Sequence, residues 1–226
     1  MAEVKKGTRI GSYTIIEGLA GGKGGMATVF RAQDSQQKIE AALKISRNDY
    51  EHPKFGNALK LEVDILKPLR HPGVVRLIPL RLASAKQEVY IARALEISGH
   101  PWFYAMEFLH GKSLKVLLKR IDKLPFPVSC SIATRMVDTL KYLHSQGVIH
   151  LDIKPENILF RYNPEIDASI EPVLIDFGVQ RAAKVSVRSA AACIPWLRSI
   201  SDILAVKSPR RLRLTRKRWT SIPWVL

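Results

Sequence analysis

The sequence predicts an α+β fold in two lobes, a β-rich lobe first and a helical lobe after it. Three observations carry this expectation. Up to residue 109, short runs rich in β-branched and aromatic residues alternate with glycine-rich and polar turns. From Ser129 a helical period takes over, with Ile132, Met136, Leu140 and Leu143 on one stripe. A dense polar run, His150-Leu151-Asp152-Ile153-Lys154-Pro155-Glu156-Asn157, then leads on to Asp176-Phe177-Gly178. The expected boundaries are 1–109 for the β-rich lobe, 110–180 for the helical lobe and 181–226 for a disordered basic tail.

Composition bounds the reading. A chain of 226 residues, 46% apolar and 25% charged, can bury a core without staples. Cys130 and Cys193 lie far apart without metal-ligand spacing, which points to a reduced, cytoplasmic protein. Met1 to Lys6 lead into no signal-peptide core, and no apolar run reaches the roughly 18 residues a membrane span needs. The net charge is +16, of which residues 1–180 hold +6 and residues 181–226 hold +10. The basic character therefore belongs mostly to the tail, and a nucleic-acid partner for the folded body is not expected.

In the first lobe, Tyr13 to Leu19 reads as a strand, followed by glycines 18, 21, 22, 24 and 25 and a second strand from Ala27 to Ala32. Strand, glycine turn, strand is a hairpin whose bare amides can meet phosphate oxygens; a flexible turn is the alternative. Ile39 to Ile45 reads as the next strand and carries Lys44. Asn57 to Leu69 reads as a helix that places Glu62 on one face with Leu59 and Leu66. An acid on an apolar face needs a partner, and Lys44 is the natural one. His71 to Leu77 opens another strand, and Trp102 to Glu107 forms the last strand of the lobe.

In the second lobe, Gly111-Lys112-Ser113-Leu114 begins a short helix. A long helix runs from Ser129 to Gln146, and Gly147 stands where a C-terminal stop belongs. Val173-Leu174-Ile175 is a short buried strand that presents Asp176. In the polar run, two acids, a lysine and an amide supply a base, a cation and hard oxygen ligands.

These motifs closely resemble the catalytic loop and metal-binding motif of eukaryotic-type protein kinases, and Gly24-Gly25-Met26 is similar to the glycine-rich loop of bacterial serine/threonine kinases. The resemblance implies a protein-kinase-like fold with a complete N-lobe and an incomplete C-lobe. It implies ATP and Mg2+ as cofactors and a protein substrate offering Ser or Thr hydroxyls. Gly22, Gly24, Gly25 and Lys44 would contact the phosphates, with Glu62 pairing Lys44. Met106 would be the gatekeeper, and the hinge backbone of Glu107 and Leu109 would bond the adenine. Val29, Ala42 and Leu159 would sandwich that ring. Asp152 would orient the hydroxyl and accept its proton, Lys154 would neutralise γ-phosphate charge, and Asn157 and Asp176 would ligate Mg2+. His150, Phe177, Leu66 and Leu77 match the stacked column of that family.

Two departures mark this chain. Leu151 replaces the arginine that meets a phosphorylated activation loop, so control of that kind is not expected. Phosphomimetic residues at Ser186, Ser189 and Ser199 should therefore leave activity unchanged. After Gly178, no Ala-Pro-Glu anchor and no further helices are legible, while Arg210 to Trp219 is a basic run. The expectation is a kinase domain truncated after its metal motif, with either a genuine short extension or an out-of-frame translation following it. Translating the other frames of the downstream DNA separates these. The rival functions are a non-catalytic ATP-binding fragment or pseudokinase, and a basic-tailed binder of nucleic acid or a membrane surface. Oligomeric state is not legible.

Overall fold

In the computed structural model of the chain, residues 4–19, 26–47, 53–81, 87–121, 124–162 and 170–177 are described. Gly22, Gly24 and Gly25, Gly178 and the expected basic tail lie outside these residues. The first lobe holds β1 (Arg9–Ile10), β2 (Tyr13–Gly18), β3 (Ala27–Asp34), β4 (Glu40–Ser46), α1 (Pro53–Leu66), β5 (Leu77–Ile78), β6 (Ile91–Arg93) and β7 (Trp102–Glu107). The second holds α2 (Leu114–Arg120), α3 (Phe126–Ser145), a 3-10 turn at Pro155–Asn157, β8 (Ile158–Phe160) and β9 (Pro172–Leu174).

Among the described residues, seven strands form one antiparallel sheet in the order β1-β2-β3-β4-β7-β5, with β6 also on β7. Alternation gives the sheet two faces. Phe30, Ala32, Ala41, Leu43, Ile45, Phe103 and Ala105 point into the apolar core with Ile10, Tyr13 and Ile15. The opposite face carries a cross-strand row of Val29, Lys44 and Tyr104, and beside it Ala42 and Met106. The sheet thus keeps one face for stability and offers the other to a site.

Two helix boundaries differ from the sequence reading. Helix α1 ends at Leu66 rather than Leu69, because Pro68 disfavours helical geometry at the residue before it. Helix α3 begins at Phe126, three residues before Ser129, because a proline in the first turn needs no amide partner. The stripe itself is as expected: Ile132, Met136, Leu140 and Leu143 are buried. Gly147 adopts φ +73° just past the end of α3, which any side chain would strain. Ser113 caps α2 by accepting a hydrogen bond from the Val116 amide.

The segment between α1 and β5 packs onto α3. His71 stacks on Tyr142 with ring centroids 4.9 Å apart, and the Tyr142 hydroxyl accepts from the Arg70 amide at 2.6 Å. A bridge from Val74 to Leu174 joins this segment to β9. These contacts tie the segment to both α3 and β9.

Candidate active site

Lys44 leaves β4 on the site face, and its ammonium lies 2.8 Å from each carboxylate oxygen of Glu62. Helix α1 supplies Glu62 from the same face as the buried Leu59 and Leu66. Burial alone would lower the Lys44 pKa; the Glu62 and Asp176 carboxylates outweigh it and hold the group above its ordinary range. Lys44 also lies 2.9 Å from Asp176 Oδ1, so one cation joins α1 to the end of the β8–β9 hairpin. The Phe177 amide donates to Glu62 Oε1 at 3.1 Å and closes the arrangement.

Asp176 has φ +62°, a left-handed conformation that is rare outside glycine. It turns the chain so that the Asp176 carboxylate faces Lys44 while the Phe177 ring enters the core. Phe177 meets His150 edge-on at 4.7 Å, and both are fully buried, as is Leu66; Leu77 is buried too. All four side chains of the expected column are therefore inaccessible to solvent, and His150 and Phe177 are in ring contact. Burial keeps the His150 pKa below the usual histidine range, partly offset by the hydrogen bond to Ile175. Its Nε2 lies 3.0 Å from the Ile175 carbonyl and Nδ1 lies 3.4 Å from the Asp152 amide. A neutral ring protonated at Nε2 satisfies both contacts.

The loop after His150 is tied together by side chains. Lys154 Nζ lies 2.7 Å from Asp152 Oδ2, and this hydrogen bond raises the Lys154 pKa. Asn157 Nδ2 donates to Asp152 Oδ2 and to the Asp152 carbonyl, each at 2.9 Å. Asp152 Oδ1 has no protein partner among the described residues. The Ile175 amide donates to the Asn157 carbonyl at 2.9 Å, which sets Asn157 beside the strand that presents Asp176.

The remaining expected residues line the sheet. Ala42 and Met106 are buried as direct neighbours across β4 and β7, while Val29 and Leu159 are half-buried. Leu159 pairs with Ser113, bringing β8 toward α2. Glu107 ends β7, and Leu109 is buried two residues on. The amide of Glu107 donates to the Arg76 carbonyl at 2.9 Å, so that N–H is already engaged.

Two residues that the sequence reading missed belong to this region. Tyr104 is buried directly opposite Lys44, and burial first, then the neighbouring Glu62 carboxylate, push its hydroxyl well above the ordinary tyrosine range. Strand alternation from Met106 was a signal that could have found it. Arg161, just after β8, contacts Glu107, Glu171 and the Pro72 carbonyl. Its partners come from three separate segments, and no local pattern announces it.

The donor set suits a hard cation. Asn157 uses its amide nitrogen on Asp152 and so keeps its amide oxygen, and Asp176 offers a carboxylate. Among the described residues no group of three or more His, Cys, Asp or Glu is gathered for a metal. Two oxygen donors and little else match Mg2+, which takes few protein ligands and completes its shell with water and phosphate oxygens.

Residues 17–197 match the family described as protein kinase domain. The serine/threonine-protein kinase PknD of Mycobacterium tuberculosis is 32% identical over 178 residues, covering 78% of this chain and 23% of that protein. The PknD of Chlamydia pneumoniae is 32% identical over 169 residues, covering 70% and 16%. CBL-interacting serine/threonine-protein kinase 16 of Arabidopsis thaliana is 26% identical over 160 residues, covering 70% and 30%. The chain thus spans less than a third of the length of each of these relatives. Among the described residues, no helix is long and apolar enough to cross a membrane.

Proposed function

This chain belongs to the protein kinase domain family and resembles its serine/threonine members; from that premise we propose that it transfers the γ-phosphate of ATP to Ser or Thr hydroxyls of a protein substrate. One observation carries the proposal: Lys44 bridges Glu62 at 2.8 Å and Asp176 at 2.9 Å, joining the two lobes through the groups that phosphoryl transfer requires.

Lys44, held by Glu62, binds the α- and β-phosphates. Val29, Ala42 and Leu159 enclose the adenine ring, Met106 limits the depth of its pocket, and the backbone at Glu107 and Leu109 bonds its edge. Gly22, Gly24 and Gly25 offer amides to the phosphates. Asn157 and Asp176 hold Mg2+, which supplies charge neutralisation on the phosphate oxygens when bound. Asp152 orients the substrate hydroxyl through Oδ1 and takes its proton. As the hydroxyl oxygen bonds to the γ-phosphorus, the bond from that phosphorus to the β–γ bridging oxygen breaks and ADP leaves. Lys154 balances the charge that gathers on the transferred group. The proposed setting is the cytoplasm, whose reducing conditions suit two widely spaced cysteines.

The test is phosphate incorporation from labelled ATP and Mg2+, comparing wild type with Asp152→Ala, together with the thermal shift caused by Mg-ATP in wild type and Asp176→Ala. Incorporation lost in Asp152→Ala and a shift lost in Asp176→Ala support the proposal. A thermal shift without incorporation in wild type selects a non-catalytic nucleotide binder instead. Wild type with neither response overturns both.

A further inference from the structure

Arg161 takes no part in the phosphate chemistry above, yet its guanidinium makes three polar contacts beside residues 107–110. One terminal nitrogen meets Glu107 Oε2, the other donates to the Pro72 carbonyl at 2.7 Å, and Nε lies 3.3 Å from Glu171 Oε2. The side chains of Arg161 and Glu107 are 20% and 12% exposed. The second oxygen of Glu107 accepts from the Arg76 amide at 3.0 Å. The Arg161 main chain adds two bonds: its carbonyl accepts from His110 at 3.0 Å, and its amide donates to Glu171 at 2.9 Å.

Largely buried ion pairs contribute little net stability, because desolvation offsets attraction. What this one provides is position. The planar fork of arginine holds its donors apart in fixed directions and so reaches acceptors on three separate segments, a spread that the compact ammonium of lysine does not span. Through its side chain Arg161 fixes Glu107, and through its carbonyl it fixes His110. The two anchors bracket the four residues 107–110, the stretch whose backbone reads the base in the function proposed above.

We infer that Arg161 is a positioning residue that holds residues 107–110 in one backbone register and thereby sets the preference for adenine over guanine. The inference rests on the kinase reading. Adenine presents a 6-amino donor beside an N1 acceptor; guanine presents a 6-oxo acceptor beside an N1–H donor. A backbone fixed in one register matches the first pattern and leaves unpaired groups against the second. A backbone freed to slip by one peptide group can meet either.

The experiment measures binding of Mg-ATP, Mg-GTP and Mg-tripolyphosphate to the full chain by calorimetry, in wild type, Arg161→Met and Arg161→Lys. In Arg161→Met the Kd for ATP should rise about tenfold, the loss of one well-made polar contact. GTP and tripolyphosphate should change far less, so the ATP/GTP preference falls. Arg161→Lys keeps the charge without the fork and should fall between. A shift of all three ligands by the same factor means a merely structural role and overturns the inference, as does an unchanged preference. If Arg161→Met does not fold, Arg161→Lys decides: a wild-type preference there overturns the inference. Wild type that binds neither nucleotide sinks the kinase reading itself, whereas wild type that binds ATP leaves that reading standing whatever Arg161 does.

Discussion

Lys44 and Glu62 lie 18 residues apart in sequence, and the ammonium of one stands 2.8 Å from both carboxylate oxygens of the other. Glu62 is 2% exposed, so the pair is a commitment of the fold as well as of the site. Removing one partner leaves a buried charge without compensation. Lys44→Met should therefore destabilise the chain by about 3–5 kcal/mol in chemical denaturation. The double variant Lys44→Met/Glu62→Leu should recover part of that loss, since apolar replacement of a buried pair is often neutral, while the Phe177 amide loses its acceptor. The raised pKa of Lys44 sets the pH window. A lysine raised in the folded state contributes fully below its unfolded value of 10.5 and loses the contribution as pH climbs through the higher folded value. In wild type the contribution is flat at neutral pH and fades only in strong alkali. A double variant as unstable as the single one would contradict the account.

His150 gives the opposite pH signature. Burial depresses its pKa, so the unfolded chain binds a proton that the folded chain refuses. Stability is then unaffected above the unfolded value of 6.5 and falls as pH drops from there toward the depressed folded value. Urea midpoints at pH 7.5 and pH 5.5 should differ in wild type, and His150→Phe should shrink the difference. His71 is also depressed by burial, with Asp138 opposing, and titrates in the same direction. His71→Phe is therefore the needed control: a loss of acid sensitivity confined to that variant would move the effect away from the column.

Much of this arrangement was legible because its chemistry is local. Asp152, Lys154 and Asn157 sit within six residues, and their mutual bonds follow from that spacing. Glu62 was legible through its leucine neighbours, because an acid on an apolar stripe demands a cation. Arg161 and Tyr104 were not. Arg161 bonds across 54 residues to Glu107 and 89 residues to Pro72, and such pairings have no period in sequence. Tyr104 reads as one more aromatic in a strand, and only the register of β7 against β4 places it opposite Lys44. The ends of α1 and α3 shifted for a related reason. Prolines 68, 125 and 127 act on the backbone of neighbouring residues, and a period of apolar side chains does not record that.

Asp152→Asn separates proton transfer from binding. The amide keeps the size of the carboxylate but cannot take a proton. Phosphate incorporation should fall by about 10²–10⁴-fold, the usual range for a positioned general base. The KM for ATP should stay within about threefold, because no nucleotide contact is assigned to Asp152. Steady-state kinetics at varied ATP checks this. A large rise in KM with unchanged turnover would place Asp152 in binding rather than in catalysis.

Gly111 tests how tightly the second lobe holds the hinge. Its amide donates to the Phe160 carbonyl at 3.1 Å, and a Cβ placed there would stand 2.4 Å from the Tyr162 carbonyl oxygen and 2.5 Å from that of Phe160. Both neighbours are backbone, so neither can swing aside, and the strand carrying Leu159 must shift. Gly111→Ala should cost about 1–3 kcal/mol, the usual penalty of overpacking, and should weaken Mg-ATP binding because Leu159 moves with β8. Gly147→Ala is the matched comparison. Gly147 has φ +73° with no atom within 4 Å of the added carbon, so only conformational strain of about 1 kcal/mol applies, and none of the residues proposed to bind nucleotide is touched. Denaturation midpoints and Mg-ATP thermal shifts of the two variants should therefore diverge: both lose stability, and only Gly111→Ala loses affinity. Equal affinity in both would mean that the contact between residue 111 and β8 does not set the position of the adenine site.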